Sequence, residues 1–302
     1  MNNAFLFICL LGFYLNIFSQ NDSISLKKLD EIILNTNRID IPFSENSRSI
    51  QIISSDEIKK RNPKNVIELL KQISGIDIRQ RGINGQQADL YIRGGSFDQT
   101  LLLVDGIKLD DAQTGHHTLN FLPPVEVIDR IEIIKGPAAR VFGQNAFTGA
   151  INIITKTDYE TGGKLGIQSG AFGQLFLNGN FQYAGENASY LVHLGNNKSD
   201  GYRYNTDFKN QQYLIRANLL KKSQSPLQFI ASFTDRKFGA NGFYASPQAK
   251  DQYEETEAQW AAVQTQGQKG NWIFRPQLYW RGGEDHYVYI RENPAIYENL
   301  HK

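Results

Sequence analysis

Sulfur is nearly absent: of 302 residues, one is cysteine and one is methionine. The cysteine, Cys9, lies inside the apolar run that opens the chain. A mature form cut after that run would carry no thiol, which excludes disulfides, cysteine nucleophiles and cysteine-bound zinc or iron–sulfur centres there. An excess of charge of either sign is also lacking. Lys+Arg 32 against Asp+Glu 31 leaves a net charge of +1, so no global attraction to nucleic acid or to an acidic surface is implied, and no nucleic-acid partner is expected. After residue 20 no run is apolar for the ~20 residues that a membrane-crossing helix needs. The five histidines (His116, His117, His193, His286 and His301) fall into no nucleophile–base pattern. Gly143–Gly149 lacks the Lys-Ser/Thr ending of a phosphate loop. An enzyme is not expected.

The apolar run itself spans Ala4 to Phe18 and ends at Ser19-Gln20. It is too short for a membrane span and fits the core of a signal peptide over residues 1–20, although no Lys or Arg precedes it. Ile8 stands before Cys9 where a lipid attachment site expects a small residue. Residues 21–47 are polar around the short island Ile32-Ile33-Leu34.

From residue 48 to about 158 the pattern is that of a mixed α+β domain. Ser54 and Glu57 fit a capping box, and Asn62-Pro63 reads as an N-cap with proline at the first helical position. Val66, Leu69, Leu70 and Ile73 form one apolar stripe, so a helix is predicted over 63–74, stopping at Gly75. Strands are predicted at Ile76–Arg79, Asp89–Arg93, Leu101–Leu109, Arg130–Lys135 and Ala150–Lys156. In the third, Asp105-Gly106 favours a type I′ hairpin turn. Gly94-Gly95 and Gly143 suggest special backbone angles, and Gly136-Pro137 ends the fourth strand because proline has no N–H to give.

From residue 159 strict alternation takes over. In 174–183 Leu175, Leu177, Gly179, Phe181 and Tyr183 oppose Gln174, Phe176, Asn178, Asn180 and Gln182. In 212–220 Tyr213, Ile215, Ala217 and Leu219 oppose Gln212, Arg216 and Asn218. In 227–234 Leu227, Phe229, Ala231 and Phe233 oppose Gln228, Ser232 and Thr234. Near the end, Trp272, Phe274, Leu278 and Trp280 oppose Arg275, Gln277 and Arg281, with Pro276 out of keeping in a ladder. About seven strands follow, near 163–170, 173–184, 188–197, 211–221, 227–238, 256–266 and 270–283. Short turns are expected near Gly185–Ala188, Lys222–Pro226 and Gly267–Gly270, and long polar loops near Asn197–Asn210, Phe238–Glu255 and from Gly282 onward. Apolar-out, polar-in strands with one short and one long end are the pattern of a transmembrane β-barrel.

Three ordered runs carry a resemblance. DLYIRGG (Asp89–Gly95), LLLVDGIKL (Leu101–Leu109) and RIEIIKGPAARVFGQNAFTGAINIITK (Arg130–Lys156) resemble the plug domain of TonB-dependent outer-membrane receptors. Glu31, Ile32, Ile33, Leu34, Asn35 and Thr36 look like the TonB box, a short extended segment able to add to a partner's sheet edge.

The resemblance implies an α+β plug followed by antiparallel transmembrane β-barrel strands, about 7 of the ~22 such barrels hold. Seven strands cannot close around a plug, so the expectation is the N-terminal part of a larger receptor, not competent alone. The implied function is active uptake of a scarce nutrient, cobalamin or a ferric siderophore (a small-molecule metal chelate). The implied partners are TonB with ExbB and ExbD, outer-membrane lipid and a downstream periplasmic binding protein, and the implied location is the outer membrane of a Gram-negative cell. A signalling or surface-binding receptor built on the same plug, and a soluble periplasmic binding protein, are the other readings.

Carried over, Arg93, Gly94, Asp105, Gly106, Glu132, Lys135, Gly136, Pro137 and Gly143 hold or gate the plug. Arg216 is suitable company for Glu132 on the lumen side. Ligand contacts are expected from the outward plug loops Arg81–Gln87 and Asp110–Asn120, with Arg81, Asn84, Gln113, His116 and His117. The wall loops would add Tyr202, Tyr204, Asn241 and Tyr244. Ser199–Phe208 is similar to an external loop region of cobalamin-transporter-like members, in which aspartates can bind calcium, so Asp200 and Asp207 are candidate calcium ligands. No other cofactor is expected.

Overall fold

The computed structural model describes residues 50–83, 86–111, 115–137 and 142–302. The expected signal peptide, Glu31–Thr36, Asn84 and Gln113 lie outside these residues.

The first strand, β1 (Ile50–Ser54), was not anticipated from the sequence. It leads into helix α1 (Ser55–Arg61), whose N-cap Ser54 accepts from the Glu57 N–H at 3.3 Å. Asn62 ends α1 rather than starting the next helix: its φ is +46°, and its N–H donates to Ile58 O at 3.0 Å. Helix α2 is therefore shorter than expected, Val66–Lys71, and its cap is Asn65, which accepts from the Glu68 N–H at 2.8 Å. The stripe of Val66, Leu69, Leu70 and Ile73 is buried as its spacing requires.

Strands β2 (Ile76–Arg81) and β3 (Gln87–Ile92) form a hairpin. Then come β4 (Thr100–Val104), β5 (Ile107–Lys108), β6 (Ile128–Lys135) and β7 (Gly149–Thr155). They join β1 in a five-stranded sheet of order β1-β6-β7-β4-β5, antiparallel except for the parallel β4–β7 pair. The Asp105-Gly106 turn has φ of +49° and +79°, as a type I′ turn needs. Gly94, Gly136 and Gly143 also have positive φ. Strands β4 and β7 are buried along their whole length. Gly149 permits this: a Cβ there would stand 2.5 Å from the Ile134 carbonyl oxygen and 2.9 Å from Ile92 Cδ1.

A second sheet follows. Its strands are β8 (Gly162–Ser169), β9 (Leu175–Ala184), β10 (Ala188–Ser199), β11 (Phe208–Leu219), β12 (Leu227–Gly239) and β13 (Tyr253–Thr265). A small hairpin, β14 (Gly267–Lys269) with β15 (Trp272–Phe274), precedes β16 (Gln277–Val288) and β17 (Glu298–His301). The order is β8-β9-β10-β11-β12-β13-β16-β17, antiparallel throughout, and the described residues form no closed barrel.

The alternation is realised. Leu177, Phe181, Tyr190, Ile215, Leu278 and Trp280 point outward and are exposed, while Leu191, Leu214, Arg216, Asn218, Ile230 and Trp260 face inward and are buried. Inward residues from this wall and residues of the first domain share one hydrophobic cluster, in which Leu119, Phe121 and Leu122 meet Leu214, Ile230 and Trp260.

Two expectations near the end are corrected. The strand expected at 270–283 is split at Pro276, which has no N–H to donate but whose carbonyl accepts from the Thr265 N–H at 3.2 Å. The wall strand starts only after it, and 266–276 is a protruding hairpin rather than a short turn. Nor does a loop begin at Gly282. Gly282 and Gly283 lie within β16; a Cβ on Gly282 would stand 3.1 Å from the Trp280 ring, so the glycine gives room to an aromatic side chain.

Candidate functional site

Of the polar contacts between the first domain, the inner body, and the wall, two groups stand out, while Asn178–Glu126, Gln212–Leu122 and Arg281–Asp110 add others. The first is built on the tight turn between β4 and β5. The Asp105 carboxylate accepts from the Thr155 N–H at 2.8 Å and from the Thr155 hydroxyl at 2.7 Å. Arg216, projecting inward from β11, donates to the same carboxylate at 2.5 Å, also donates to the Thr155 hydroxyl, and reaches Gln228 Oε1 at 3.2 Å. The Asp105 and Arg216 side chains are 8% and 3% exposed, so this ion pair is dry. Gln264 closes the junction by donating to the Asp105 carbonyl at 3.0 Å.

The expected pairing of Arg216 with Glu132 is therefore not found. Glu132 is fully buried and is held within its own sheet by Arg130, at 2.9 Å. Arg93 is likewise not interior: it lies exposed on a turn with φ +51°. Lys135 ties the sheet to the β2 approach, donating to Gln51 Oε1 at 2.7 Å and to the Ser74 carbonyl at 2.5 Å. Pro137 is exposed just past β6.

The second junction lies toward the ends of the wall strands that carry the loops 200–207, 240–252 and 289–297. The segment 115–121 leads into a 3-10 turn, Thr118–Phe121, pinned from below: the Trp260 indole donates to the Phe121 carbonyl at 3.2 Å, and Arg236 donates to Asn120 Oδ1 at 2.8 Å. The two adjacent histidines diverge. His116 lies 2.8 Å from Asp89 through Nδ1 and packs on Phe97, with ring centroids 4.3 Å apart. His117 turns to the wall, where its Nε2 is 3.4 Å from Glu254 Oε1 on β13 and 3.6 Å from Asp285 Oδ2 on β16. Burial alone would push the His117 imidazole down; the Asp285 hydrogen bond and the charges of Glu254 and Asp285 outweigh it, and its pKa is raised.

Aromatic residues and amides frame this cluster. The Tyr244 hydroxyl donates to Glu254 Oε2, and burial with that neighbouring charge pushes its pKa well up. Arg81 lies over the Tyr244 ring at 5.6 Å and ion-pairs with Asp89 at 3.7 Å. Gln252 donates to the Tyr287 hydroxyl at 2.7 Å, and the Tyr287 ring meets Tyr244 edge-on at 5.5 Å. Of the expected ligand residues, the structure thus gathers Arg81, His116, His117 and Tyr244 in one place.

Tyr202 and Tyr204 stand apart in loop 200–207, 45% and 65% exposed. Asn241 is buried and braces that loop, donating to the Tyr204 carbonyl at 2.6 Å. The calcium expectation fits poorly. Asp207 gives both its oxygens to Arg291, at 2.7 and 3.0 Å, and Asp200 is exposed beside Gly173. A cation would have to displace a bidentate guanidinium, the strongest kind of carboxylate partner.

Glu254 and Asp285 were not anticipated. Glu254 shares the inward face of β13 with Thr256, Ala258 and Trp260, so period-2 counting back from Trp260 could have found it. Asp285 was hidden by the glycine pair before it, read as the end of a strand.

The model of the family described as TonB-dependent Receptor Plug Domain matches residues 42–150. A vitamin B12 transporter, BtuB, of Vibrio vulnificus is 35% identical over 136 residues, covering 45% of this chain and 22% of the transporter. That of Vibrio cholerae is 34% identical over 176 residues, covering 57% and 28%. The chain thus spans well under a third of the length of these curated relatives. Among solved structures, the ferric-catecholate import receptor Fiu of E. coli superimposes with a TM-score of 0.65 at 16% identity, over 82% of this chain and 40% of Fiu. The FpvAI chain of the FpvAI–pyocin S2 complex gives 0.68 at 17% identity, over 84% and 35%.

Proposed function

Since the chain belongs to the TonB-dependent receptors, with their plug domain followed by antiparallel strands of a barrel wall, we propose that it serves the active uptake of a scarce nutrient across the outer membrane. The observation that carries this reading is the seating of the plug, through polar and apolar contacts alike, on the inner face of a wall whose outer face is apolar. Strands of 10 to 13 residues with exposed Phe181, Tyr190, Ile215 and Trp280 on one side suit a bilayer, where ~9–11 tilted residues span the hydrocarbon. The two edges, β8 and β17, have unpaired backbone groups that a bilayer cannot satisfy, so a working wall needs further strands beside them.

Cobalamin is the favoured cargo, because relatives at 35% and 34% identity are named as vitamin B12 transporters. The siderophore receptors share the fold at under 20% identity. The mouth formed by Arg81, His116 and Tyr244 combines a cation, an imidazole and an aromatic face, a set suited to a large polar ligand with a planar ring. Release requires the plug to leave the wall. The Asp105–Arg216 and Asn120–Arg236 bonds are what a pull from the periplasm by TonB, energised by ExbB and ExbD, would have to break.

The test uses the whole receptor in cells. Cyanocobalamin should bind and be taken up. Removing residues 31–36 should abolish uptake while binding persists, and replacing Tyr244 by alanine should weaken binding itself. Absence of cobalamin binding, with a ferric catecholate bound instead, would replace the cargo and keep the family. Absence of both would remove the uptake reading.

A further inference from the structure

We propose that His117, Glu254 and Asp285 form a binding site for one divalent transition cation of the zinc class, clasping the outward plug loop to the wall. The ligand atoms of these residues lie within 4.8 Å of one another. Their spacing is specific. Donors that hold zinc tetrahedrally at ~2.0–2.1 Å stand about 3.4 Å from each other, and His117 Nε2 lies 3.4 Å from Glu254 Oε1 and 3.6 Å from Asp285 Oδ2. One imidazole with two carboxylates is a donor set that suits zinc and its neighbours, whereas calcium takes oxygen donors and prefers more of them.

The charge balance favours a cation. Glu254 is 2% exposed and the side chain of Asp285 16%. Both carboxylates face the same imidazole, and among the described residues neither is ion-paired to a lysine or arginine. The two acids are thus faced by imidazoles alone, His117 at both and His301 at Asp285, in a nearly dry place where a carboxylate without a permanent counter-charge is costly. A second observation is independent of the charge. Asp285 Oδ1 and His301 Nδ1 are buried atoms with no hydrogen-bond partner, and His301 Nδ1 lies 3.5 Å from the Asp285 carboxylate. Lone pairs left unmet beside a ligand cluster are what a bound cation and its outer partner would satisfy.

Around the cluster, the Tyr244 hydroxyl on the far oxygen of Glu254 orients that carboxylate, Asn120 Nδ2 lies 3.5 Å from His117 Nδ1, and His301 stands beside Asp285. Three protein donors leave a fourth position on the cation open to water or to a donor atom of an incoming ligand. The donors come from three separated elements: the plug segment before Thr118–Phe121, β13 and β16. The cation would thereby fasten the plug loop to the wall at the mouth and hold it until the plug moves. The inference stands on its own and does not depend on which nutrient is carried.

The experiment is a titration of the detergent-solubilised receptor with Co²⁺, read by its visible d–d absorption, followed by competition with Zn²⁺ and with Ca²⁺. We expect one Co²⁺ per chain, displaced by Zn²⁺ and not by Ca²⁺. Asp285→Asn, which keeps the side-chain shape, and His117→Ala should each weaken binding by about 10–100-fold or more, the range seen when even outer partners of a metal site are lost. His193→Ala should bind as the wild type does, because His193 lies on β10 and pairs with Asn180. Failure of the wild type to bind Co²⁺ would overturn the proposal. So would wild-type affinity in Asp285→Asn, loss of binding in His193→Ala, or displacement by Ca²⁺.

Discussion

The two junctions between plug and wall use the same residue classes to opposite ends. At the β4–β5 turn one carboxylate, Asp105, meets one guanidinium, Arg216, and Thr155 contributes both its N–H and its hydroxyl to the carboxylate. Charge is balanced and the carboxylate is well supplied with donors. At the mouth two carboxylates, Glu254 and Asp285, share one imidazole, His117, and buried polar atoms stay unmet. The first arrangement is a lock in which charge is balanced and the carboxylate is fully supplied, although the buried Arg216 Nε–H meets no partner. The second has spare negative charge and spare lone pairs, so it is disposed to accept something more. Burial alone does not distinguish them, since Arg216 and Glu254 are each 2% exposed; the count of donors and charges does.

That contrast can be broken by mutation, beginning with the largest effect. Arg216→Ala should destabilise the folded receptor by about 3–5 kcal/mol, because it strands the buried Asp105 carboxylate. Denaturant unfolding, or loss of the compact gel-mobility form at lower temperature, reads this out. Leu102→Ala in the fully buried β4 should cost about 2–5 kcal/mol. By contrast Leu278→Ala on the outer face of the wall, where Leu278 is 78% exposed, should shift the same unfolding curve by under about 0.5 kcal/mol in detergent. Equal effects of the two leucine changes would contradict the assignment of inner and outer faces. Asn65→Ala removes the α2 cap and should cost about 1 kcal/mol, with Asn62→Ala lacking that cap effect.

The mouth should respond to pH through His117. The His117 pKa is raised in the folded state by Asp285 and Glu254, over the opposing effect of burial. The charges that face His117 are Glu254, Asp285 and Asp111, so its stabilising contribution is full below the ordinary imidazole value of 6.5 and is lost as pH rises through the raised folded value. With chelator present to keep cations away, protease cutting of the segment 115–121 should increase across that window. His117→Ala should shrink the change and leave the part carried by Glu254, whose carboxyl burial pushes up to about 7; an unchanged profile would show that His117 does not contribute.

Much of the architecture was legible because it rests on local periodicity. The α2 stripe, the plug strands and the outward aromatics of the wall all follow from 3.6- or 2-residue spacing. The Asp105-Gly106 turn could be read because two successive positive φ values strongly favour such a dipeptide. Boundaries were less legible. Asn62 and Asn65 are both good caps, and only the tertiary path decides that the first ends a helix while the second begins one. The parallel β4–β7 pairing was invisible because it joins residues 49 apart, as between Thr100 and Gly149, with no local signal. The candidate site was legible in half. His116 and His117 were read as contacts of one outward loop, and both stand at the mouth, but the partners of His117 come from β13 and β16, far along the chain. Arg216 was placed on the inner face, where it lies, and its partner was named as Glu132, because Asp105 was assigned to the plug's own turn and structure.

The most direct test of the plug–wall account is a double-mutant cycle on Asp105 and Arg216, with each changed to alanine alone and together and unfolding free energies compared. Two residues that form a buried ion pair across the junction should show a coupling of about 1–3 kcal/mol, the double mutant being less damaged than the sum of the single ones. Additivity within about 0.5 kcal/mol would mean that the two side chains do not meet, and that the plug is not seated on the wall as described.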